Sequence, residues 1–555
     1  MQTEFKNFKD GMYFVPLGGC SEIGRNLNVF GSIKNKKEEW VIVDIGISIG
    51  KGIIRVECPK FDFLMDKNIV GVVCTHGHDD HIGGLAIIIP TLDAEMKKRD
   101  PNHNGIPIYA TPFTMDLIKL KFEEIGYSPN LITVYPSKIF NVQNYEFELI
   151  YITHSIAEPN MVRFKCNTHN YNILHTGDWK FDTDPIVGET TDLDYIRKLG
   201  DDGVDLLLCD STNALEEEYT PPEGMVKVNL RKLIKEYYNN RIVISCFSSN
   251  IARLSAISSL AKEFNKHLVG AGSSILKMWR VAKDHGYIPK EAELYSVQDL
   301  KKLDPKKVIM VCTGSQGEKG AVLNRLAYGD RPPFILTKND IVVFSSRKIP
   351  GNEKEIDEMQ SSLIRRGVKI IDSKSFPGIH VSGHPSSQEV AQMISLVRPL
   401  AFIPVHGYAK HFDAMLTIAE KAGISRKLMP YNGAVIDLKA IKIVGNIVYG
   451  LMGVDGKQLI DMESKVMVNR NMLRDHGIIN ISFSNSTKPS LSNFGCIPDE
   501  LFKDCIRPIC DIVKESARNL RSDNRKAVIG NIIYMVNEFF RRKFGKNPVI
   551  CVHIL

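Results

Sequence analysis

The chain has 555 residues, 43% of them hydrophobic and 24% charged, which is ordinary for a globular protein of roughly three or four domains. Disordered, collagenous and small disulfide-scaffold classes are excluded, and no uncharged apolar run approaches the ~20 residues of a membrane helix. The net charge of +7 is unevenly placed: residues 465–555 carry 15 Lys+Arg against 8 Asp+Glu, while the first 464 residues carry 56 of each. A basic tail of this kind is either a solvated face or a pointer to a polyanionic partner.

Residues 1–10 lack the apolar core of a signal peptide. The eleven cysteines never fall as C-x-x-C, which suits reduced thiols and a cytoplasmic location. Through the first 220 residues, short β-branched or apolar runs stop at a polar residue. Residues 40–44 end at Asp44, 69–76 at His76, 147–154 at His154, 171–175 at His175 and 204–210 at Asp210. These runs predict strands, and polar groups gathered at strand ends suit an active-site rim.

The pattern changes after Pro221 and Pro222. Strands at 242–247, 267–272, 308–312 and 341–344 alternate with helical stretches, one of them at 251–264, as in a parallel α/β unit. From about residue 368 the β-rich style returns, with strands at 379–381 and 400–406. The α/β block, 223–367, therefore reads as an insertion in a first domain made of 1–222 and 368–444. Residues 445–465 read as a linking strand region. Residues 466–555 read as a small basic α+β domain with helices near 506–521 and 526–543.

The sharpest chemical signal is Thr75-His76-Gly77-His78-Asp79-Asp80-His81-Ile82-Gly83-Gly84. Three imidazoles and two carboxylates in six residues, directly after an apolar run, are suitable ligands for zinc. On an extended turn His76 and His78 can point to one side, with Asp80 and His81 one step further on. His154, Asp178 and His406 follow the same strand-end rule. Each alone reads as a core or capping residue; together with the His-rich motif they supply seven donors, enough for two metals.

This constellation resembles the metallo-β-lactamase superfamily, whose second motif reads H-x-H-x-D-H. The resemblance implies an α/β fold, an αββα sandwich. It assigns His76, His78 and His154 to one zinc ion and Asp80, His81 and His406 to a second, with Asp178 bridging them. Asp44 and Asp210 would orient the ligands from behind. Asp178 and His406 stand 228 positions apart, as in the β-CASP branch, where a nucleic-acid-handling domain is inserted before the last ligand. Within that branch the chain is similar to the ribonuclease J family. The similarity rests on Leu17-Gly-Gly-Cys-Ser-Glu-Ile-Gly-Arg-Asn26, Asp210-Ser-Thr-Asn213, Phe247-Ser-Ser-Asn250, Cys312-Thr-Gly-Ser-Gln-Gly-Glu318, Ile349-Pro-Gly-Asn-Glu353 and His380-Val-Ser-Gly-His384, and reaches Arg541-Arg-Lys-Phe-Gly-Lys-Asn-Pro-Val549. Tyr408, Glu158 and Trp179 depart from that family's commoner residues without removing a ligand.

The resemblance implies endonucleolytic and 5′→3′ exonucleolytic hydrolysis of RNA in its maturation and decay. Two Zn2+ ions would serve it, with Mn2+ as a substitute, on RNA carrying a 5′-monophosphate. Asp80 and Asp178 would be the catalytic carboxylates. His380 or His384 would donate a proton to the leaving oxygen or bond a phosphate, and sequence leaves both open. Val381, Ser382 and Gly383 join them as a phosphate cradle. Ser248, Ser249 and Asn250 either bind a 5′-terminal phosphate or simply cap a helix. A homodimer or homotetramer through the C-terminal domain is implied, with no membrane partner. Two other readings stand beside this one: a hydrolase of a small ester or thioester, and a non-catalytic RNA-binding assembly protein. The long insertion and the complete ligand set argue against them.

Overall fold

The computed structural model describes residues 5–50, 52–330, 332, 334–349, 351–456, 458–484, 487–518 and 524–555. Pro350 and the expected helix end at Arg521 lie outside these. The chain divides into two compact units, one of residues 1–48 and 58–449, the other of residues 49–57 and 450–555.

In the first unit two mixed sheets face each other. The eight-stranded sheet runs Lys442–Asn446, Ala434–Asp437, Gly11–Gly18, Leu27–Lys34, Lys37–Val43, Ile69–Val73, Ile108–Ala110 and Leu131–Thr133. The seven-stranded sheet runs Arg426–Lys427, Ala401–Val405, Leu206–Asp210, Tyr171–His175, Asn160–Cys166, Tyr145–Tyr151 and Ile139–Val142. Alternate residues of both sheets fill the space between them, including Phe14, Phe30, Val41, Phe147, Phe164 and Ile403. The second sheet's other face is covered by the helices Leu193–Asp202, Ser387–Val397 and Ala409–Lys421, through Ile196, Val390, Met393 and Met415. Helices Leu85–Arg99 and Pro112–Ile125 lie in the stretch that reads as strands in sequence. The Ile87-Ile88-Ile89 run and Pro90 disguise the first of them, and packing overrides that local preference.

The inserted block forms a five-stranded, all-parallel sheet in the order His267–Ala271, Val308–Cys312, Arg241–Ser245, Asp340–Phe344, Lys369–Ile371, whose last strand lies past the expected boundary at residue 367. Its helices Ile251–Glu263, Ser273–Asp284, Val322–Tyr328 and Glu353–Arg365 alternate with the strands. From Arg241–Ser245 the chain crosses to one side of the sheet, and from Val308–Cys312 to the other. The crevice between those two strands is therefore the topological switch point, where open α/β sheets bind ligands.

The second unit holds a three-stranded sheet, Thr487–Phe494, Ile478–Ser484 and Val549–Ile554, under helices Asp499–Ala517 and Arg525–Phe544. The expected linking region is itself strand, at Leu451–Asp455 and Gln458–Asp461. It forms a sheet with Val56–Pro59 and Ser48–Ile49, a pairing that no local sequence pattern announces.

Candidate metal centre

The His-rich motif leaves the end of strand Ile69–Val73 and turns into a single helical turn, Asp79–Ile82, with His78 as its N-cap. That geometry separates the two acids. Asp79 pairs with Lys121 on the surface, its side chain 67% exposed, while Asp80 turns inward beside His81 and His406. Two other contributors sit where the chain reverses direction at a strand end. Asp44 and His406 both take left-handed backbone, at φ 65° and 58°, a conformation that costs non-glycine residues ~1–2 kcal/mol. Such strain persists where the surrounding structure over-determines it.

The donors converge in three overlapping groups among the described residues. They are His76, His78, His154 and Asp178; Asp80, His81, Asp178 and His406; and Asp178, Asp210, His384 and His406. The first two groups contain all seven expected ligands, with Asp178 shared. His78 Nδ1 lies 3.0 Å from His76 Nε2 and 3.2 Å from His154 Nε2. Tetrahedral coordination with ~2.0–2.1 Å bonds has edges of about 3.3–3.4 Å, so this donor set fits a zinc-sized ion. The second group is built of two imidazoles and two carboxylates, with His406 Nε2 buried without a hydrogen-bond partner and 3.4 Å from Asp80 Oδ2.

The outer ring nitrogens are held in place. Asp44 accepts the Thr75 backbone N–H and hydroxyl, each at 2.8 Å, and the His81 Nδ1–H at 2.7 Å. His76 Nδ1 lies 2.9 Å from the Thr75 hydroxyl oxygen, and His154 Nδ1–H donates to Gly383 O at 2.6 Å. These partners fix the tautomers that direct the opposite nitrogens inward. Thr75 opens the His-rich motif, but nothing in the sequence assigns it this supporting role.

The two groups carry opposite electrostatic signatures. Burial, reinforced by neighbouring rings, holds His76 and His154 well below the usual histidine range; burial likewise brings His78 down to about 4. These are neutral imidazoles, the ligand form. At His81 and His406 burial also opposes protonation. Asp178 and the other carboxylates outweigh it, raising His81 well above its usual range and His406 to about 10. That half of the site attracts positive charge.

His384 sits at the rim, its Nδ1–H donated to Asp210 Oδ2 at 2.8 Å, and its ring lies 5.0 Å from that of His154 and 5.9 Å from that of His406. Burial lowers its pKa, but Asp210 and Asp178 reverse the effect and leave it raised. His380 differs. It lies outside the donor groups, its Nδ1 has no partner, and burial together with Arg253, Arg347 and Lys180 holds it well below the usual range.

The expected strand at 379–381 is an irregular segment. Its backbone carbonyls are taken by side chains instead of a ladder. Ile379 O accepts from Ser345 Oγ and Arg253, Gly383 O from His154, and His384 O from Asn213 and Thr220. A Cβ at Gly383 would meet His154 Nδ1 and Cε1 at 2.8 Å, so this position requires glycine for close approach. Ser382 Oγ accepts from Asn213 Nδ2 at 2.7 Å, and Val381 is buried.

Residues 247–250 and 313–317 follow the two strands at the switch point of the inserted sheet. Asn250 Oδ1 accepts the Arg253 N–H at 2.8 Å, so this side chain caps the helix, while Ser248 and Ser249 remain part-exposed. Buried Arg253 also donates to Glu223 and Ser345. Sequence reasoning overlooks this group, because nothing local marks an arginine on a helix as buried.

Comparison with known proteins sets this site in its family. Residues 239–363 match the family model described as ribonuclease J, beta-CASP domain, and residues 33–95 match the metallo-beta-lactamase superfamily. A ribonuclease J of Sinorhizobium meliloti is 33% identical over 98% of this chain and 97% of its own length. The chain belongs to the ribonuclease J family. The ribonuclease J of Thermus thermophilus is 30% identical over 98% of this chain and 95% of its own length, and that of Helicobacter pylori 30% over 99% and 80%. A solved protein of unknown function from Enterococcus faecalis V583 shares the fold at a TM-score of 0.53. It is 14% identical and aligns with 77% of this chain and 100% of its own. The ribonuclease J beta-CASP match falls on the inserted parallel sheet, and the superfamily match spans Asp44 and the His-rich motif.

Proposed function

We propose that the chain is a zinc-dependent ribonuclease acting on RNA both endonucleolytically and 5′→3′ exonucleolytically. The observation that carries this is the pair of buried donor groups sharing Asp178 beneath residues 380–384. Two divalent cations, if bound there, would supply Lewis acidity, which lowers the pKa of a water and offsets the charge of a phosphodiester. His76, His78 and His154 would hold one, Asp80, His81 and His406 the other, and Asp178 both.

The chain's own residues do the rest. Asp44 and Gly383 O keep the imidazoles aimed inward. His384, oriented by Asp210, is placed to protonate the leaving oxygen, a contribution of typically 10²–10⁴-fold. The Ser382 hydroxyl and the backbone N–H groups around Gly383 form the phosphate cradle. Ser248, Ser249 and the N-terminus of helix Ile251–Glu263 receive a 5′-phosphate at the switch point. We further assign the C-terminal unit to self-association as a dimer or tetramer. Tyr534 and Met535 are 64% and 42% exposed there, while Ile532 and Val536 of the same helix fill the core.

Zinc measurement on the purified protein, paired with cleavage of 5′-monophosphorylated and 5′-triphosphorylated RNA, tests the reading. About two zinc ions per chain and faster exonucleolytic decay of the monophosphorylated RNA are expected. A fully metal-loaded protein that leaves RNA intact and hydrolyses a generic ester would overturn it.

A further inference from the structure

Two residues after the donor His406 stands an aromatic ring, Tyr408, that belongs to none of the donor groups. Tyr408 follows His406 by two residues, which limits their Cα atoms to about 7 Å apart. Its side chain is 47% exposed. It occupies the N-cap of helix Ala409–Lys421 in extended conformation, a place where Ser, Thr, Asp and Asn stabilise helices best. Tyr408 and His411 form a capping box at the helix start, which uses polar groups, and burial does not account for the half-exposed face of the ring.

Its position is nevertheless held. Gly407 N–H donates to Gly19 O at 3.2 Å, and a Cβ on Gly407 would collide with the Ser211 hydroxyl, so the chain entering Tyr408 has little freedom. Tyr408 N–H donates to His411 Nδ1 at 3.2 Å, and the two rings lie 5.8 Å apart. His406, two residues before Tyr408, has its Nδ1 3.7 Å from Asp210 Oδ1, and Asp210 also holds His384, so the start of this helix adjoins the rim residues. Arg347 joins that rim through 2.7 Å bonds to Asn213 and Glu216, and Asn213 in turn holds Ser382. Lys410 is exposed next to Tyr408.

A half-exposed aromatic face two residues from a metal donor, on a segment that also carries the exposed Lys410, has the chemistry of a base-stacking platform. The cation meets the backbone phosphates and the ring meets a base of any identity, because every base has a π-face. We propose that Tyr408 stacks on a nucleobase of the bound RNA close to the cleaved phosphodiester, and so sets how firmly the strand is held in register at the metals. This rests on the ribonuclease reading and adds a base contact to it.

The test uses the full chain and the variants Tyr408→Ala and Tyr408→Phe. Binding of a short 5′-monophosphorylated RNA is measured by fluorescence anisotropy, with cleavage rates alongside. The same RNA is then made with a single abasic nucleotide walked along its length. Tyr408→Ala should weaken binding of the intact RNA by about five- to 160-fold, the equivalent of ~1–3 kcal/mol for one stacked base, and Tyr408→Phe should retain it. At one position the abasic nucleotide should cost the unmodified protein a comparable factor and cost Tyr408→Ala nothing more. Unchanged binding in Tyr408→Ala overturns the proposal. So does a loss in that variant that adds in full to the abasic loss at every position, which would mark a purely structural tyrosine. RNA bound with these dependences but never cut in zinc or manganese would sink the nuclease reading and leave the base contact standing. RNA neither bound nor cut would overturn both.

Discussion

His384 donates its Nδ1–H to Asp210 Oδ2 over 2.8 Å, 174 positions back in the chain. Asp210 is itself fixed by the Thr212 backbone N–H and hydroxyl, at 2.9 and 2.7 Å. The imidazole therefore presents its other nitrogen in a set orientation at the edge of the donor cluster. His384→Ala should keep close to two metal ions and cut RNA ~10²–10⁴-fold more slowly. Asp210→Asn should slow cleavage less, since the ring remains. Loss of a metal ion from the His384→Ala protein would mean that the third donor group, with Asp178 and His406, is a binding site.

Removal of zinc by a chelator should abolish cleavage, and zinc or manganese should restore at least part of it. His76→Ala should lose metal and activity together, because one of three converging nitrogens is gone. Full activity in protein verified to be metal-free would contradict the assignment.

Asp44 is fully buried, and it aligns His81 and Thr75 together. Asp44→Asn should weaken metal binding by ~10–100-fold, the usual cost of losing a carboxylate behind a ligating histidine. Competition with a fluorescent zinc chelator reads this directly, and unchanged affinity would remove Asp44 from the site.

The metal-free protein should be most stable near the ordinary histidine pKa. His78 falls to about 4 on folding, so between about 6.5 and 4 the unfolded chain takes up a proton that the folded chain refuses, and stability falls with pH. His406 rises to about 10. Its contribution is complete below about 6.5 and is lost as pH climbs towards 10. Denaturant midpoints of chelated protein at pH 5, 6.5 and 9 measure both limbs. His406→Asn should flatten the alkaline one; an unchanged alkaline limb in that variant would refute its origin.

Ending the chain after Tyr449 removes residues 450–555, with the basic excess, and leaves all seven donors. Metal content should persist. Sedimentation should show a smaller oligomer, and a salt series of RNA binding should flatten only if the tail meets phosphates directly. An unchanged oligomer and salt slope would leave the tail with neither role.

The site was legible in sequence wherever its chemistry is packed into a short stretch. Six residues from His76 to His81 hold four donors, and the strand-end habit pointed to His154, Asp178 and His406. The H-x-H-x-D-H pattern singles out Asp80 over Asp79 in sequence, but the physical cause of that choice lies in the fold, where a single helical turn begins at Asp79. Residues 379–381 alternate like a strand, yet Arg253, His154, Asn213 and Thr220 capture the carbonyls around them.

By itself the sequence determined the donor types, the strand, turn and helix habits of most segments, and the family, since each is written in a few neighbouring residues. Only the tertiary structure decided which distant groups meet. Asp178 reaches His406 at 2.9 Å across 228 positions, Arg347 reaches Asn213 across 134, and residues 49–57 join the C-terminal unit. Such contacts require ordering long stretches of chain at an entropic cost, which the packed sheets offset together and no local segment offsets alone.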